Sequence, residues 1–119
     1  MNEYFTPAVV EADPKANITD LLVERLKQTP DGALFSLPTA DGGWQDVTTR
    51  EFYDQVVALA KGLIAAGIKP GEKIGFMCKT RYEWTLIDFA TWFAGAVLVP
   101  ILNRVVRFTV AGAVVSVRP

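Results

Sequence analysis

Apolar residues along this chain recur first at helical spacing, then in short strand-like runs, and the changes of period fall at proline, glycine and threonine. Residues 1–16 carry Pro7 and Pro14 with no periodic apolar set, which predicts an extended arm over residues 1–17. In "NITDLLVERLKQTPDG", Leu21, Leu22, Arg25 and Leu26 stand at helical spacing. Asp20 lies near the positive end of that helix's dipole and Lys27 near its negative end, and Pro30 and Gly32 stop it. Two short apolar segments around Asp41, Gly42 and Gly43 predict a β-hairpin with strands at about 33–37 and 44–47.

Thr48 to Glu51 reads T-x-x-E, a capping box in which hydroxyl and carboxylate satisfy the first free amides of a helix. Phe52, Val56, Leu59, Ala60, Leu63 and Ile64 then keep a three-to-four residue spacing that sets one face toward a core, and Gly67 supplies a left-handed stop. A turn on Pro70 and Gly71 leads into "KIGFMC", apolar enough for an interior strand. Thr80 to Glu83 repeats T-x-x-E, so a second long helix is expected from about Arg81, with Trp84, Ile87, Phe89, Ala90 and Phe93 on a broad apolar face. Gly95 closes it, and the unbroken apolar run "AVLVPI" predicts a strand covered on both faces. The whole pattern predicts an α/β fold: a helix, a β-hairpin and a parallel β-α-β crossover.

Composition agrees with a packed interior. With 119 residues, half of them apolar and 21% charged, the chain suits one domain burying roughly two-thirds of its unfolded surface. Its net charge of −1 gives no general affinity for nucleic acid, but the sum conceals an asymmetry. Residues 1–88 hold 9 basic and 13 acidic side chains, whereas residues 89–119 hold three arginines and no acid. The N-terminus lacks the basic and apolar regions of a signal peptide, and the single cysteine, Cys78, permits no internal disulfide. Both point to a reducing, cytoplasmic setting. The longest apolar run, residues 89–102, is 14 residues and too short for a membrane span of about 20. Arg104 and Arg107 likewise weigh against a membrane-anchoring tail.

Few residues invite chemistry. With no histidine in the chain, His-based triads and the usual His-containing metal sites are excluded. Cys78 sits in an apolar run and reads as a small hydrophobe rather than a nucleophile. "GIKPGEK" (67–73) departs from the phosphate-binding pattern: its second glycine comes early, and Ile74 stands where a hydroxyl would bind magnesium. The carboxylates of Glu11 and Asp13, Asp41 and Asp46, and Glu51 and Asp54 read as solvated surface, and the aromatics Tyr82, Trp84, Phe89, Trp92 and Phe93 as core rather than pocket lining. No residue is assigned to catalysis, cofactor binding or metal.

The continuous stretch from "WQDVTTREF" through "AAGIKPGEKIGFM" and "KTRYEW" to "WFAGAVLVPI" resembles the N-terminal part of the AMP-dependent synthetase/ligase family, and bacterial long-chain fatty-acid–CoA ligases in particular. The likeness covers roughly residues 18–101 and implies an N-terminal fragment of the adenylate-forming enzyme fold. It implies ATP, magnesium, a fatty acid and coenzyme A as reactants of the full-length family, with cytoplasmic or peripheral-membrane residence. The family's phosphate loop, ribose-binding acid and C-terminal lysine would lie beyond this chain. A fragment inactive alone is therefore expected; the alternative is a small non-catalytic α/β binding or interaction module derived from that family. Residues 102–119, with six valines, three arginines and no acid, form an atypical tail. A reading-frame slip just after the codon for Ile101 in a GC-rich gene would give that composition and an early stop, whereas a genuine exposed strand there would be aggregation-prone.

Overall fold

The computed structural model describes residues 4–7, 9–10, 13–101 and 114–115. Before the first helix, the described residues form neither helix nor strand. Helix α1 (Ile18–Gln28) starts on Asn17, whose side chain accepts from the Thr19 amide at 2.9 Å while Asp20 accepts from the Asn17 amide at 2.9 Å. Asp20 thus closes a capping box as well as meeting the helix dipole. Leu22 of this helix is buried, but Leu21, about 100° further round, is 69% exposed.

Strands β1 (Ala33–Pro38) and β2 (Trp44–Thr48) pair antiparallel, with Phe35 opposite Val47 and Pro38 opposite Trp44. Helix α2 (Thr49–Ala65) follows without a linker, and its cap is the expected one. The Thr48 hydroxyl accepts from the Glu51 amide at 3.2 Å, and Glu51 returns the contact to the Thr48 amide at 2.8 Å. Thr49 is fully buried because its amide and hydroxyl both reach the Gly32 carbonyl, at 3.0 and 3.3 Å, tying the start of α2 to the turn after α1. The core-facing stripe of α2 is narrower than its spacing suggested. Phe52, Val56 and Ala60 are buried, Leu59 and Leu63 half-buried, and Ile64 is 54% exposed. Gly67 ends the helix at φ +99.

Strand β3 (Lys73–Phe76), helix α3 (Tyr82–Phe93) and strand β4 (Val97–Pro100) form the β-α-β unit, with β3 and β4 parallel. Strand β5 (Val114–Val115) lies parallel on the other side of β3, so the order is β4-β3-β5. Two expectations need correction. First, Thr80 does not cap α3: the helix opens one residue late, on Arg81, with no side-chain cap. Glu83 instead accepts from the Arg81 guanidinium at 2.5 and 2.6 Å, a charge-assisted pair that holds the carboxylate a capping box would turn to the Thr80 amide. Second, β4 is not covered on both faces. Leu98, opposite Ile74, shares the face carrying the helices, while Val97 and Val99 alternate to the other face and are 48% and 40% exposed.

Two clusters hold the helices. Leu22, Val47, Phe52 and Val56 form the first, enclosed by Phe35, Tyr82, Phe89 and Phe93. Phe35 and Phe89 stand 5.1 and 5.6 Å from the Phe52 ring, in the tilted and edge-on arrangements that aromatic quadrupoles favour. Ala60, Ala90 and Ala94 form the second, where small side chains let α2 and α3 approach. At the end of α3, Gly95 (φ +75) packs against Pro70 and accepts from the Gly71 amide at 2.8 Å, joining the two turns that feed β3 and β4.

Candidate functional site

Several of the side chains weighed for chemistry hold local structure instead. Asp41 accepts from the Thr39 hydroxyl and from the Gly43 amide, in that order of effect, which lowers its pKa and shapes the hairpin turn. Asp46 pairs across the hairpin with Ser36 at 2.5 Å, Glu51 caps α2, and Asp54 is exposed on α2. Asp13 accepts from the Lys15 amide at 2.9 Å, while Glu11 lies outside the described residues. Cys78 is half-buried between β3 and α3.

The "GIKPGEK" loop is equally self-contained. Lys69 donates its amide to the Glu72 carboxylate at 2.9 Å, Glu72 donates to the Lys69 carbonyl at 3.1 Å, and Gly71 donates to Gly95. Amides engaged in this way do not form a phosphate cradle. Among the described residues, no cluster of three or more acids and cysteines could hold a metal ion. The 67–73 loop therefore does not fit a nucleotide phosphate.

The aromatic cluster also serves packing. Tyr82, Phe89 and Phe93 enclose the Phe52 core, Trp84 lies 5.0 Å from the Phe76 ring, and Trp92 packs on Phe89 at 5.1 Å. Burial raises the Tyr82 pKa against the opposing hydrogen bond to Gln55 at 3.0 Å. Burial likewise raises that of Asp88, opposed by a hydrogen bond from Trp84.

A concave feature of the helical layer lies elsewhere, and its residues carried no chemical signal in the sequence. Leu59 and Leu63 from α2, Ile74 from β3, and Glu83, Leu86, Ile87 and Thr91 from α3 line a cleft of about 220 Å³ whose accessible surface is apolar. Glu83 marks one end, its pKa lowered by the hydrogen bonds from Arg81. The Thr91 hydroxyl is buried and has no hydrogen-bond partner among the described residues. A binding site for a polar substrate sets a few polar groups in an apolar wall to fix orientation. Here the polar groups of the lining are Glu83, engaged by Arg81, and the buried Thr91 hydroxyl, so the accessible wall is apolar and suits hydrocarbon.

Comparison with known proteins agrees with the fold. Residues 22–117 match the AMP-binding enzyme family, a stretch that runs past Ile101. The long-chain-fatty-acid–CoA ligase FadD15 of Mycobacterium bovis is 37% identical over 101 residues, which are 85% of this chain and 17% of that protein. The chain thus spans about a sixth of the length of this relative and aligns with the N-terminal part of such ligases. Among solved structures, Klebsiella oxytoca NpsA in complex with 3-hydroxyanthranilyl-AMSN superimposes with a TM-score of 0.64 at 23% identity, over 73% of this chain and 17% of that one. A fatty acyl-adenylate ligase from L. pneumophila, in complex with acyl adenylate and pyrophosphate, gives 0.63 at 20% identity over 71% and 15%. The two structures support the fold, and the sequence matches establish the kinship: this chain belongs to the AMP-binding enzyme family.

Proposed function

We propose that this chain is the N-terminal piece of a long-chain fatty-acid–CoA ligase and is inactive alone. In the complete enzyme the fatty acid would be activated by ATP to an acyl-adenylate with release of pyrophosphate, and the thiol of coenzyme A would then displace AMP. The observation that carries this reading is the 101-residue match to a long-chain ligase. Inactivity alone rests on the site geometry: the loop amides are internally satisfied and the cleft is apolar. Purified chain incubated with ATP, magnesium, a fatty acid and coenzyme A is expected to form no acyl-CoA, and turnover above a blank without protein would sink the claim.

The division of the chain into an arm (1–17), a partial AMP-binding domain (18–101) and a tail (102–119) belongs to the same proposal. The family match through residue 117 and the pairing of Val114–Val115 with β3 favour counting part of the tail with the domain. The reading-frame slip has its own test, which is translation of the gene beyond the codon for Ile101 in all three frames. A second frame that resumes family-like sequence supports the slip; its absence removes it. No helix among the described residues is long and apolar enough to cross a membrane. Cytoplasmic or peripheral-membrane residence is proposed for the complete enzyme.

A further inference from the structure

We draw no further inference here: the strongest candidate, the exposed apolar side chains Tyr4, Phe5, Val9 and Val10 of the arm ahead of α1, carries nothing because nothing in the structure shows what covers them.

Discussion

Phe52 and Val99 are both apolar residues in regular elements, yet Phe52 is 1% exposed and Val99 is 40% exposed. Around Phe52 the chain closes on itself: α1, the hairpin, α2 and α3 all contribute to one aromatic cluster. Around Val99 it does not, because the helices pack on only one face of the β3–β4 pair. Equal hydrophobicity therefore has unequal consequences. In the first region apolar residues define a core, and in the second they remain on the surface.

The largest expected effect tests that contrast directly. Phe52→Ala should cost about 3–5 kcal/mol through lost burial and a residual cavity, whereas Val99→Ala should stay within about 0.5 kcal/mol, as surface substitutions do. Urea titration of the two variants decides it, and similar losses would break the comparison.

Glycine sharpens it next. Gly95 sits at φ +75 with an added Cβ only 3.4 Å from Pro70, so Gly95→Ala should cost about 1–2 kcal/mol. Gly62, inside α2 with nothing within 4 Å of an added Cβ, should behave oppositely. Gly62→Ala should gain about 0.5–1 kcal/mol from helix propensity. Thermal melts of the pair should move in opposite directions; shifts of the same sign would show that backbone conformation does not hold the α3–β4 joint.

The smallest effect separates the two T-x-x-E patterns. Thr48→Ala should cost about 1 kcal/mol because its hydroxyl caps α2. Thr80→Ala should change stability by less than about 0.5 kcal/mol, since Thr80 caps nothing. Glu51 gives the pH signature. The Thr48 amide, then its hydroxyl, hold the Glu51 pKa below its ordinary value. Its contribution is thus complete above that ordinary value and fades as pH falls through the lowered one. Glu51→Gln should flatten part of the acid limb of a stability–pH curve, and an unchanged limb would remove the cap from the account.

Local signals made most of the fold legible. Gly67, Pro70, Gly71 and Gly95 mark its turns, Thr48 and Glu51 mark the start of α2, and the hairpin and the parallel pairing follow from segment order. What the sequence could not show depends on distant partners. Whether Thr80 caps α3 is decided by competition from Arg81 for Glu83. Whether "AVLVPI" is buried on both faces depends on elements that the run itself does not encode. The cleft was illegible for a similar reason: Leu59, Leu63, Leu86 and Ile87 look like ordinary core positions, and only the three-dimensional course of α2 and α3 leaves space between them.

The most direct test of the central claim is to replace the matched segment of M. bovis FadD15 with the corresponding residues of this chain and assay acyl-CoA formation beside the 119-residue chain alone. The chimera is expected to form acyl-CoA from a long-chain fatty acid, and the chain alone to form none. Activity in the chain alone, or a folded chimera without activity, would contradict the account.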